Sequence, residues 1–131
     1  MDSKTYIEQA KTTESNDFAP IKERLQNTST VRMLHATMGV STEAGELVDA
    51  LKKHVFYGKE LDRTNMLEEV GDLFWYLAIL SDELGLDFET IMRKNIEKLQ
   101  TRYGGAFSQK AAIHRDLAKD KDSLESSPFD H

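Results

Sequence analysis

An all-α fold, a helical bundle of about four to five helices, is what this sequence predicts, on three observations. Apolar residues recur at intervals of three and four along most of the chain, the period of a helix face. Only Pro20, in a short polar connection, and Pro128, near the end, interrupt that pattern. The strict alternation of a strand is nearly absent. The 131 residues suit one domain with a sizeable core. The predicted organisation is a single all-α domain over residues 1–118, its core at about 29–107, then a charged, mobile tail over 119–131.

The elements follow from their ends. A first helix is predicted over about Lys4 to Glu14, with Tyr6, Ile7 and Ala10 on one side. A long second helix runs from Ser29 or Thr30 to His54 and carries Val31, Leu34, Met38, Leu47, Ala50 and Leu51. Phe56-Tyr57-Gly58-Lys59 ends it, with Gly58 as the left-handed stop. Asn65 and Glu68 have capping-box spacing and open a third helix that stops at Gly85. Asp87 caps a fourth helix through Phe88, Ile91, Ile96 and Leu99, ending near Tyr103 before Gly104-Gly105. A weaker helix is predicted over Gln109 to Ala118.

Composition excludes several function classes. With 17 Lys+Arg against 23 Asp+Glu the formal charge is −6, and no basic block stands ready to neutralise a nucleic-acid backbone. Cysteine is absent, which removes disulfides, thiolate zinc sites and cysteine nucleophiles. The longest apolar run, Leu73 to Leu80, falls far short of the roughly 20 residues that span a bilayer. Met1-Asp2-Ser3-Lys4-Thr5 has no apolar segment of a secretory signal, so the expected location is the cytoplasm. Gly58-Lys59 is followed by Glu60 and lacks the earlier glycine of a phosphate-cradling loop. Neither a paired-histidine zinc motif nor a nucleophile elbow is present.

Acids are what the sequence has in quantity. Five pairs stand three apart, where composition alone predicts about four, so spacing by itself decides nothing. Position does more. Glu43 and Glu46 share a helical stripe with Leu47, Ala50 and His54; Glu69 and Asp72 share one with Tyr76, Ile79 and Leu80. Carboxylates aligned with apolar stripes are costly to bury and raise one another's pKa. A divalent cation relieves both problems, and hard oxygen donors suit Mg²⁺ or Mn²⁺. A solvated helix face is the alternative. Gly45 and Gly71 each precede the second acid of a pair, at about 1 kcal/mol against alanine, which suggests a close approach there or crowded helix packing. A triphosphate at such a site needs cations as well, and Lys94, Lys98 and Arg102 on the fourth helix supply them, unless they are solvated surface charges.

Glu43-x-x-Glu46, 22 intervening residues and Glu69-x-x-Asp72 resemble the signature of the MazG-like, all-α nucleoside triphosphate pyrophosphohydrolases. The flanks Gly39-Val40-Ser41-Thr42 and Leu73, and Lys94-Asn95-Ile96-Glu97-Lys98-Leu99 with Arg102-Tyr103, extend the resemblance over roughly Val31 to Phe107. The resemblance implies helices completed by dimerisation, often as a tetramer, and Mg²⁺-dependent cleavage between the α and β phosphates. Glu43, Glu46, Glu69 and Asp72 would then hold the metals, and Lys98 and Arg102, with Lys94 and Asn95 as neighbours, would contact phosphates. The chemistry it implies is attack of a metal-polarised water on the α-phosphorus, giving a nucleoside monophosphate and pyrophosphate.

His35, the Phe56-Tyr57-Gly58-Lys59 turn and Ile113-His114-Arg115-Asp116-Leu117 resemble small phage and bacterial members, some of which act on guanine deoxynucleotides. The competing readings are a pyrophosphohydrolase of a pyrimidine triphosphate or phosphoribosyl-ATP, and a catalytically silent helical dimer serving as an adaptor. Trp75, Tyr76 and Phe56 are candidates to stack a base or to fill the core; His35 and His54 read as structural histidines.

Overall fold

The computed structural model describes residues 1–125, which hold seven helices and no strand, so the all-α expectation is met. Two compact units are present, Met1–Leu80 and the part from Ser81 onward. Among the described residues no helix is long and apolar enough to cross a membrane.

The first unit opens with α1 (Ser3–Thr12), capped by Asp2, whose carboxylate accepts from the Thr5 amide at 2.9 Å and the Thr5 hydroxyl at 2.8 Å. The polar connection expected around Pro20 contains a short helix, α2 (Ala19–Arg24), with the proline in the first turn, where its missing N–H has no helical partner to lose. Helix α3 (Thr28–Tyr57) starts at Asn27, which accepts from the Thr30 amide at 3.1 Å. Gly58 stops it at φ 65°, as the sequence predicts. The helix runs past His54 to Tyr57, and the His54 imidazole hydrogen-bonds the Lys59 carbonyl through Nδ1 at 2.8 Å, which ties the turn back onto the last helical residues.

Helix α4 (Arg63–Glu83) begins three residues earlier than predicted, with its cap at Asp62 in place of Asn65. The cap is Asp62, whose Oδ1 accepts from the Asn65 amide at 2.9 Å, so Asn65 sits inside the first turn with its side chain released from capping.

Contacts between α3 and the part of α4 before Ser81 follow one seam. The Tyr76 ring lies over Gly39, where an added β-carbon would collide with it, and the His35 and Tyr76 rings meet edge-on at 5.7 Å. Further along, Glu43 meets Glu69 and Asp72. Positions 35, 39 and 43 rise along α3 while 76, 72 and 69 descend along α4, so the two helices run antiparallel. The glycine that a neighbour packs against is therefore Gly39. Gly45 and Gly71 face open space within the chain.

The apolar stripes are not closed over. Ala36 is the only buried hydrophobic residue described. Leu34, Val48 and Val55 lie on the side of α3 away from Gly39, with 45%, 68% and 63% of their surface exposed. Leu67 and Phe74 do the same on α4. Two helices bury one stripe each against the other; these carry apolar residues on both sides.

In the second unit α5 (Phe88–Tyr103) is capped by Asp87, whose carboxylate accepts from the Thr90 amide at 2.7 Å, and it ends at Gly104 at φ 60°, both as predicted. The weaker helix expected over Gln109 to Ala118 is split into α6 (Gln109–Ile113) and α7 (Leu117–Glu125). Residues 119–125, placed in the expected tail, are helical: Asp116 accepts from the Lys119 amide at 3.0 Å and starts α7, and Asp120, pointing back at α5, is buried. The rest of that tail, 126–131, lies outside the described residues.

Gly39→Ala should cost about 1–3 kcal/mol, because the ring above it has to move. Gly45→Ala should leave stability unchanged or higher, since alanine is the better helix former. Urea unfolding of the two variants beside the parent checks the ordering.

Candidate metal centre

The seam between α3 and α4 gathers acids. Glu43, Glu69 and Asp72 each offer a carboxylate oxygen, and these oxygens lie within 4.8 Å of one another. Glu69 is buried, Glu43 half-buried and Asp72 exposed, so the group grades from the helix contact towards solvent. Helical spacing puts Glu69 and Asp72 on one face of α4, and the antiparallel register brings Glu43 opposite them. Glu46, one turn on from Glu43, is exposed and outside this trio, though its charge still acts on Glu69.

Burial pushes the Glu69 carboxyl above its ordinary range, and Glu43 and then Glu46 push the same way. Asn65 opposes them, donating from its side-chain amide to Glu69 Oε1 at 2.6 Å. Among the described residues no Lys or Arg is paired with Glu69. A site of hard oxygen donors with uncompensated negative charge fits a divalent cation such as Mg²⁺ or Mn²⁺. Asp49, by contrast, shows the solvated-face alternative in operation. Its carboxyl is held down to about 2 by hydrogen bonds from Lys52 and Lys53, one turn away on the same helix.

The cationic residues predicted for substrate lie on α5, in the second unit. Lys94, Lys98 and Arg102 fall at successive i, i+4 positions, hence on one side of that helix. Lys94 is 3.9 Å from Glu97, Lys98 is half-buried, and Asn95 is exposed. Arg102 already has a strong partner: its Nε donates to Asp120 Oδ1 at 3.1 Å and its Nη2 to Oδ2 at 2.5 Å, a two-point contact between α5 and α7. Arg115 adds a weaker contact to Asp120 at 3.6 Å. Arg102 holds the Asp120 carboxyl below the usual carboxylate range.

Sequence reasoning did not find Asn65 as the partner of Glu69 or Asp120 as the partner of Arg102. For Asn65 a signal existed, since Asn65 and Glu69 stand four apart. For Asp120 none did, because 18 residues separate it from Arg102 and the meeting depends on how the chain turns between α5 and α7.

The sequence model of the MazG nucleotide pyrophosphohydrolase domain matches residues 33–107, a span that contains all four acids and the α5 cations. The gene 37 protein of Mycobacterium phage L5 is 34% identical over 73 residues, covering 52% of this chain and 63% of the phage protein. The chain thus spans less than two thirds of that relative's length. No solved structure matches the chain.

Two outcomes are expected from these charges. Glu69 is penalised as a carboxylate at neutral pH, so metal-free Glu69→Gln should melt at or above the wild-type temperature near pH 7, with the difference fading as acid protonates Glu69. Mn²⁺ should raise the melting temperature of the wild type and not of this variant; an equal rise in both removes Glu69 from the ligand set. Asp120 has the opposite sign. Its lowered value contributes stability at neutral pH that is lost as pH falls below about 4, so melting curves of wild type and Asp120→Ala should converge there.

Proposed function

Because the chain belongs to the MazG nucleotide pyrophosphohydrolase domain family, we propose that it hydrolyses a nucleoside or deoxynucleoside triphosphate to the monophosphate and pyrophosphate. The observation that carries this reading is the convergence of Glu43, Glu69 and Asp72 oxygens within 4.8 Å inside the matched span. Glu43, Glu46, Glu69 and Asp72 would hold Mg²⁺ or Mn²⁺. When bound, such a metal offsets the charge of the phosphates and polarises water.

The chain's own residues do the rest. Carboxylates crowded in a half-buried seam repel a bare triphosphate, so the α5 cations are needed to make binding favourable. Lys98 and Arg102 contact phosphate oxygens, with Lys94 and Asn95 beside them. Arg102 carries five N–H donors, gives two of them to Asp120 and also interacts with Tyr103, and the donors that remain are the ones proposed to meet an anion. Water attacks the α-phosphorus, pyrophosphate departs from the opposite side, and a carboxylate of the group accepts the water's proton. No covalent intermediate with the protein is required.

Self-association belongs to the same reading. Helices α3 and α4 expose apolar residues on the sides turned away from their mutual seam, and a helix apolar on both sides is stable when both are covered. A second copy of the chain, as a homodimer or homotetramer, is the proposed cover. A guanine deoxynucleotide is the proposed substrate, on the resemblance to the small phage and bacterial members.

Chromatographic product analysis with all standard NTPs and dNTPs, and phosphoribosyl-ATP, in Mg²⁺ or Mn²⁺, tests the reaction. Monophosphate with equimolar pyrophosphate is expected, dGTP foremost. Glu46→Gln should lower turnover at least ~100-fold with the helical content intact, as loss of one charged ligand at nearly constant volume. Preference for a pyrimidine or for phosphoribosyl-ATP replaces the substrate but keeps the reaction. No release from any nucleotide, by protein that binds no Mn²⁺, would leave a helical adaptor as the better description.

A further inference from the structure

The side-chain amide of Asn65 has a place in the site that its position in the helix does not require. Asp62 caps α4, so the Asn65 backbone amide is satisfied by the Asp62 carboxylate and its side chain has no capping duty. That side chain reaches one turn forward and donates to Glu69 Oε1 at 2.6 Å. Glu69 is buried and Asn65 half-buried, so the bond forms away from bulk water, where a donor to a carboxylate is worth most.

We propose that Asn65 is a positioning residue for Glu69, fixing the rotation of its carboxylate so that the oxygen without an amide donor is held for a cation shared with Glu43 and Asp72. The inference rests on the metal reading above. The residue type suits the task. A lysine at the same place would bring a full positive charge into competition with the cation, and an acid would add to the repulsion among Glu43, Glu69 and Asp72. A neutral amide supplies a donor at a fixed point and no net charge. Its short arm, with two rotatable bonds, also holds the geometry more tightly than glutamine would at the same position. Groups that orient a ligand in this way alter metal affinity without touching the metal.

The test is titration of the metal-free protein with Mn²⁺, followed by calorimetry, on wild type and Asn65→Ala, with melting curves of both taken without metal. Wild type is expected to bind, and Asn65→Ala to bind ~10–100-fold more weakly, with a lower metal-free melting temperature because the buried carboxylate loses its donor. An unchanged Mn²⁺ affinity, with or without a lower melting temperature, overturns the inference and leaves Asn65 a structural partner of Glu69. Absence of binding in the wild type overturns the metal reading and this inference together. Asn65→Leu, which keeps the shape of the side chain and loses its donor, decides the matter in the same way if the alanine variant does not fold.

Discussion

Like charges held close together between two helices are the constraint on which this structure depends. At the solvent end of the α3–α4 seam an acid costs little; at Glu69, buried and facing Glu43, it costs a great deal. Among the described residues no Lys or Arg is paired with it, and the Asn65 amide donates to it without cancelling the charge. The antiparallel register that produces it is set by the contact of Tyr76 with Gly39, where only a residue without a β-carbon admits the ring. Structure and chemistry are therefore coupled through one contact. The seam that brings the helices close enough for Tyr76 to lie over Gly39 also brings Glu43 against Glu69 and Asp72, and a fold built for stability alone would place neutral side chains there.

The same economy explains the apolar surface. A seam lined with carboxylates cannot serve as a hydrophobic core, so the apolar area of α3 and α4 is displaced to their other sides. Leu34, Val48 and Val55 on one helix and Leu67 and Phe74 on the other are exposed there. Burying them against a second copy would supply the hydrophobic stabilisation that the charged seam withholds, at about 25 cal/mol for each square ångström covered. The charged inner face and the proposed assembly are then two consequences of one arrangement.

Much of this was legible in the sequence because it is local. Asp87 as a cap, Gly58 and Gly104 as left-handed stops and the stripe that aligns Glu69, Asp72 and Tyr76 depend on residues within a turn or two of each other. Helix content followed from periodicity. What failed was competition between neighbours of similar chemistry. Asp62 and Asn65 are both good caps; the structure uses the first, and the choice decides whether Asn65 is free to reach Glu69. Pro20 reads as a break and is also a good first-turn residue. Helix α7 was hidden for a different reason. Its charged, serine-bearing sequence resembles a tail, and what orders it is the pairing of Asp120 with Arg102, a contact no local pattern announces. Gly45 and Gly71 were a sound signal of an unusual backbone requirement, but within the chain the close approach occurs at Gly39 instead.

Charge is divided between the two units in a way that bears on substrate. The first holds acids without compensating cations at the seam; the second holds cations along α5, of which Arg102 is compensated by Asp120 and Lys94 partly by Glu97. Under the proposed function the two sets have different tasks: the acids would hold a cation, and the α5 side chains would meet phosphate oxygens. A metal store would need only the acids, and an adaptor would need neither set. Lys98 carries the distinction furthest. It is half-buried on the side of α5 that bears Lys94 and Arg102, and among the described residues no carboxylate is paired with it.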